Sequence, residues 1–127
     1  MTITQYVEAH LPGILAICTA EDWPSLPADP ARAHAVLTAP GVTTVVALDG
    51  EQVIGFAYLQ SDGHIQAHLS QMAVHPNHRR QGIGRSLLKY AAPLTGAQRI
   101  DLVTDTASAF YSSFDHRTFS GFRIYPG

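Results

Sequence analysis

Residues 69–89 constrain this chain more than any other stretch. A hydrophobic segment (69–74) passes through a turn carrying Pro76 into Arg79-Arg80-Gln81-Gly82-Ile83-Gly84, and then into an apolar-periodic helix. Strand, glycine-bearing loop and helix start, in that order, leave a group of backbone N–H donors that the helix cannot satisfy by itself. The helix dipole and the flanking guanidinium groups add positive potential, so the arrangement predicts an anion site of the pyrophosphate kind. Two other phosphate motifs do not fit. A Walker-type loop needs Gly-Lys-Ser/Thr, which is absent, and the dinucleotide fingerprint needs a third glycine at position 87, which is Leu.

Charge is distributed to suit such a site. No Asp or Glu occurs between Asp62 and Asp101, whereas Arg79, Arg80, Arg85, Lys89 and Arg99, five of the eight Lys and Arg residues, fall in that interval. The N-terminal part carries Glu8, Glu21, Asp22 and Asp29 against Arg32 alone, and the formal net charge is −2. A chain without broad positive excess is not expected to bind nucleic acid, and a local basic site facing an anionic small molecule fits better.

At 127 residues, with 46% hydrophobic and 14% charged side chains, the chain is expected to fold as one domain over 1–127 with a real core. No apolar run approaches the roughly 18 residues of a membrane span. The start, Met-Thr-Ile-Thr-Gln, lacks a basic leader, and the single cysteine, Cys18, excludes an internal disulfide. Together these features place the protein in the cytoplasm, with no membrane partner and Cys18 as a buried, inert thiol.

Apolar periodicity orders the rest. Residues 2–7 read as a short strand, and 8–19 as a helix with Leu11, Ile14, Leu15 and Cys18 on one face and Pro12 in its first turn. Asp29 is positioned to cap a second helix over 30–38. Residues 42–48 and 52–60 read as strands joined by a type I′ turn at Asp49-Gly50, and Asp62-Gly63 as a second such turn leading into a strand over 64–74. Ser70-Gln71, polar inside an apolar stretch, is the expected place for a bulge. A helix over 82–92 stopped by Pro93, a parallel strand over 100–104, a helix over 107–114 and a last strand over 119–125 complete the order.

Arg79-x-x-Gly82-x-Gly84, preceded by Met72-Ala73-Val74 and followed by Phe110-Tyr111, resembles the acetyl-coenzyme A motif of the GNAT superfamily of N-acetyltransferases. The resemblance covers about residues 42–125. It implies an α/β fold of the GNAT acyl-CoA N-acyltransferase type: a mixed, mostly antiparallel sheet flanked by helices, with a splayed parallel strand pair. It implies acetyl-CoA as co-substrate, a primary amine as acceptor, direct attack in a ternary complex and no metal. The seven histidines lack the spacing of a strand-borne metal cage.

Residue roles follow from the same resemblance. Two glycines let the loop backbone approach the pyrophosphate, with the amides of Gln81, Gly82, Ile83, Gly84 and Arg85 as donors, Arg79 and Arg80 as charges and Ser86 as a hydroxyl. The Met72 amide polarises the thioester carbonyl, an oxyanion-type contact, and the Ala73–Val74 backbone pairs with the pantetheine arm. Tyr111 protonates the departing thiolate. Thr104 falls where the family often has an Asn that touches the cofactor. The 68–75 strand is particularly similar to that of arylalkylamine N-acetyltransferases, and it places His68 where some family members carry a base. A water-relayed carboxylate, Glu21 or Asp22, is the other candidate for that role. The same two carboxylates, with His68, would favour a small cationic acceptor. A homodimer is compatible with the sequence. So are two other readings, a non-catalytic acyl-CoA-binding module and an acetyltransferase for protein or peptide amino groups. Residues 112–120 are longer than the family pattern, and either an acceptor-site border or a surface extension accounts for them.

Overall fold

Alternating apolar residues drive four of the segments above, with one shorter piece, into a single sheet. β1 (Thr2–Gln5), β2 (Val42–Asp49), β3 (Gln52–Ser61), β4 (Gln66–Val74) and β5 (Arg99–Asp101) lie side by side in that order in a computed structural model that describes residues 1–127. The first four pair antiparallel, and β5 joins β4 in parallel, as the helix between them requires. Helices α1 (Leu11–Ala20) and α2 (Pro30–Leu37) cover one face, burying Ile14, Ile17 and Leu37 against Phe56. Helix α3 (Ile83–Thr95) covers the other, with Ile83, Leu87 and Ala91 against Val45, Ala57 and Leu59. A short helix, α4 (Ser108–Ser112), follows β5.

Local chemistry explains the boundaries. The Asp29 carboxylate accepts the Arg32 N–H at 3.1 Å and caps α2, with Pro30 at its first position. α1 begins after a single 3-10 turn (Glu8–His10), with Pro12 in its first turn where no N–H is needed. It ends in a Schellman turn: Trp23 N–H bonds Cys18 O, Asp22 N–H bonds Thr19 O, and Asp22 takes the left-handed position with φ of 59°.

Several expectations are corrected. Asp49 pairs with Gln52, so the hairpin turn is Gly50-Glu51, and only Gly50 has positive φ; this is the type II′ pattern, not I′. The Asp62 carboxylate accepts the N–H groups of His64, Ile65 and Gln66 and holds a longer loop, so His64 lies outside β4. Pro93 does not stop α3. Buried Thr95 anchors the last turn, its carbonyl accepts from Ser61 Oγ at 2.8 Å, and the helix ends at left-handed Gly96. β5 is only three residues long, because β4 turns away from it beyond His68.

The strand expected over 119–125 does not form. A strand needs a partner edge, and past Asp101 the chain offers no regular one. Gly121 lies against the Val103 side chain without a backbone hydrogen bond. Phe119, Phe122, Ile124 and Tyr125 remain 68–87% exposed.

Candidate active site

The cleft begins with one extra residue in β4. Leu59 faces Leu69 while Tyr58 faces Gln71, so Ser70 is unmatched, a bulge where the polar pair suggested one. Below it Ala67 and Leu69 pack on the α3 side; above it Met72 and Val74 do. Without the bulge Met72 would point to the opposite face. The bulge also coincides with the end of the parallel ladder, whose three pairs run from Gln66–Arg99 to His68–Asp101. Beyond them β4 and β5 part and leave a wedge.

Ladder alternation decides which backbone groups face that wedge. His75 N–H donates to Ile54 O at 2.7 Å, so this pair and, by alternation, Ala73–Phe56 and Gln71–Tyr58 exchange bonds with β3. The intervening residues, Met72 and Val74, therefore direct their N–H and C=O groups away from β3, into the wedge.

The loop that closes the wedge is strained where an anion site needs it to be. Arg80 has φ of 63° and Gly82 of 77°; Arg80 and Asp22 are the only non-glycine residues of the chain with positive φ. None of the N–H groups from Gln81 to Arg85 donates to a backbone acceptor, and the first intrahelical bond runs from Ser86 to Gly82 O. Five successive donors thus lie free at the N-terminus of α3, its positive end. Gly84, expected to admit the ligand, has another task. A Cβ there would stand 3.1 Å from Phe110 Cζ and 3.7 Å from Met72 Cε, so the glycine lets α3, α4 and β4 meet.

Not every basic side chain points at the anion. Arg79 donates through Nε to Val74 O at 3.2 Å and through Nη to the Glu21 carboxylate, its ion-pair partner. Arg85 donates to Ser113 Oγ at 2.7 Å and stacks over the Phe114 ring at 3.9 Å, tying α3 to the end of α4. Thr104 Oγ1 accepts the Ala107 N–H at 3.1 Å, a local cap before α4. Arg80 stays exposed at the loop. No group of three or more His, Cys, Asp or Glu side chains converges anywhere in the chain.

These features have counterparts among known proteins. The family model described as an acetyltransferase (GNAT) domain matches residues 40–117. The chain belongs to the GNAT acetyltransferases. A mycothiol acetyltransferase from Streptomyces coelicolor is 37% identical over 46 residues, which are 36% of this chain and 15% of that protein. The chain therefore spans only a small part of that relative's length. Two solved structures share the fold. An aminoglycoside antibiotic 6'-N-acetyltransferase from Acinetobacter haemolyticus has a TM-score of 0.79 at 17% identity, over 100% of this chain and 98% of that one. An aminoglycoside N-acetyltransferase in complex with CoA has a TM-score of 0.75 at 16% identity, over 99% and 100%.

In this GNAT domain, Tyr111 is linked to the loop through the Phe110 ring. Its ring contacts Phe110 edge-on at 5.0 Å, the Phe110 ring meets Gly84, and burial raises the Tyr111 phenol above its ordinary value of 10.0. His68 is exposed on the opposite face of β4 from Ala67 and Leu69, next to Gln60 and Asp101 in register. On that face the upper part of β4 presents Gln71, whose Oε1 lies 3.9 Å from Cys18 Sγ, a neighbour that nothing in the sequence pattern announced. Cys18 itself is buried, and burial first, then Glu21, push its thiol up to about 11. Glu21 is bound to Arg79, while Asp22 is exposed. His75 caps the 3-10 turn after β4 (Pro76–His78), its Nδ1 accepting the Asn77 N–H, and His78 closes that turn.

Proposed function

We propose that this chain binds acetyl-CoA across residues 79–86 and the β4–β5 wedge, and transfers the acetyl group to a primary amine of a small cationic molecule. The observation that carries the reading is the run of unpartnered donors from Gln81 to Arg85, opening beside the outward-facing amides of Met72 and Val74. The first set matches a pyrophosphate, and the second matches the amide-bearing arm and thioester of the same molecule. Each charge-assisted bond to phosphate contributes on the order of 1.5–3 kcal/mol.

In the proposed reaction both substrates are held together. The neutral amine attacks the thioester carbon, and the Met72 N–H donates to the oxygen as it becomes negative. The C–S bond then breaks and Tyr111 gives its proton to the sulfur. The phenol holds a proton to give at neutral pH, and burial raises it further above its ordinary value of 10.0. The proton released by the amine passes to His68 through water, because His68 is exposed on the acceptor face. Asp22 is the carboxylate left to attract a cation there, Glu21 being paired with Arg79.

The reading extends to a single domain over 1–127 acting in the cytoplasm without a metal. No helix is long and apolar enough to cross a membrane. It also includes a homodimer, for which the exposed Phe119, Phe122, Ile124 and Tyr125 offer apolar area. Thiol release from acetyl-CoA, measured over a panel of primary amines and amino-terminal peptides, tests the activity. Turnover with small cationic amines supports the proposal. A preference for peptides, or binding without turnover, replaces it with one of the two other readings.

A further inference from the structure

Glu21 was expected to attract the acceptor amine and Arg79 the pyrophosphate, but the chain brings them to each other. Glu21 closes the C-terminus of α1 and is 23% exposed; Arg79 follows the 3-10 turn after β4 and is 51% exposed. The guanidinium fork spans two acceptors, the Glu21 carboxylate and the Val74 carbonyl. One side chain thus joins the α1 terminus, the outward edge of β4 and the start of the phosphate loop.

The neighbours of the pair point the same way. The two non-glycine residues with left-handed backbone, Asp22 and Arg80, directly follow Glu21 and Arg79 in sequence. Such conformations are unfavourable for residues with a Cβ and persist only where surrounding contacts over-determine them. At Asp22 the Schellman bonds do this. At Arg80 no backbone hydrogen bond fixes the turn, and the nearest restraint is the anchored side chain of Arg79.

We infer that Glu21 is a positioning residue for the cofactor: it holds Arg79 against the β4 edge and so keeps the loop from Arg80 to Gly84 in its donor-presenting conformation before the phosphates arrive. This rests on the acetyl-CoA reading above and reassigns Glu21 from the acceptor side to the cofactor side. A bound carboxylate already neutralised by a guanidinium attracts an amine weakly. It still transmits its effect to the loop through Arg79.

The test uses the full chain with CoA as the titrant. Glu21→Ala and Arg79→Ala should each raise the Kd for CoA and the KM for acetyl-CoA about threefold to fivefold, the size that an exposed ion pair transmits. The double variant should be no worse than Arg79→Ala alone. Glu21→Gln, which keeps an acceptor oxygen, should recover part of the loss, and the KM for the amine should stay within twofold throughout. A Kd for CoA unchanged in Glu21→Ala, additive single effects, or a rise confined to the amine KM overturns the inference alone. Failure of the wild-type protein to bind CoA overturns the acetyl-CoA reading and this inference with it.

Discussion

Gly82 and Gly84 belong to one motif, yet the structure holds them for different reasons, and replacing each by alanine should separate those reasons. Gly82 has φ of 77° with nothing within 4 Å of an added Cβ, so Gly82→Ala carries only a backbone penalty. A left-handed alanine costs about 1–2 kcal/mol. With an unfolding entropy of about 2.1 cal/mol/K per residue, that lowers Tm by roughly 4–7 °C for a chain of 127 residues. The effect on ligand should be larger. If relaxation of the turn misaligns one or two of the donors from Gln81 to Arg85, at roughly 1.5–3 kcal/mol each, the Kd for CoA rises at least about tenfold. At 100 times its Kd a ligand stabilises by about 2.7 kcal/mol, so CoA should raise the wild-type Tm by about 10 °C, and the same concentration should shift Gly82→Ala much less. Gly84→Ala has ordinary helical backbone and gains up to about 1 kcal/mol of helix propensity, offset by the 3.1 Å approach to Phe110 Cζ. Its Tm should stay near wild type while kcat falls, because the Phe110 ring that must give way packs on Tyr111. Thermal melts with and without CoA read both variants. A Gly82→Ala protein with wild-type Tm and an undiminished CoA shift would refute the account of the loop.

Three further outcomes follow from other sites. Tyr111→Phe should lower kcat about 100-fold with little change in the Kd for CoA; since burial raises the phenol above 10.0, wild-type kcat should not decline with rising pH below that value. Asp62 accepts three backbone N–H groups, which hold its carboxyl below the ordinary value of 3.8. Its contribution to stability is therefore fully present above that pH and lost as pH falls through the lowered value, so Tm curves of wild type and Asp62→Ala should differ at neutral pH and converge only once the pH has fallen below that lowered value. Cys18, buried with its thiol at about 11, should resist an aromatic disulfide reagent in the folded protein and react after unfolding, which absorbance of the released thiolate follows.

What the sequence made legible was mostly local. The loop from Arg79 to Gly84, the Asp29 cap and the Ser70 bulge each rest on neighbours within a few positions, where residue type alone decides the backbone. The pairing of Arg79 with Glu21 spans 58 positions and that of Arg85 with Ser113 spans 28, so no periodicity reveals either. The motif supplies charge at Arg79 without saying which partner takes it, and for Arg85 it speaks only for the backbone amide, not for the side chain. The packing role of Gly84 was hidden for a similar reason: a glycine that admits a ligand and one that admits a phenylalanine ring look alike in sequence. The 119–125 segment has the alternation of a strand, but strand formation depends on a partner edge, and β5 ends at Asp101.

The central claim is that a bulged strand and a donor-rich loop hold acetyl-CoA for attack by an amine. Amine-dependent release of free CoA thiol tests it most directly, with wild type and Gly82→Ala run side by side at equal protein concentration. Release should require both acetyl-CoA and a primary amine, and Gly82→Ala should reach the wild-type rate only at raised acetyl-CoA. CoA binding with no amine-dependent release across small amines and peptides, or release indifferent to Gly82→Ala, would contradict it.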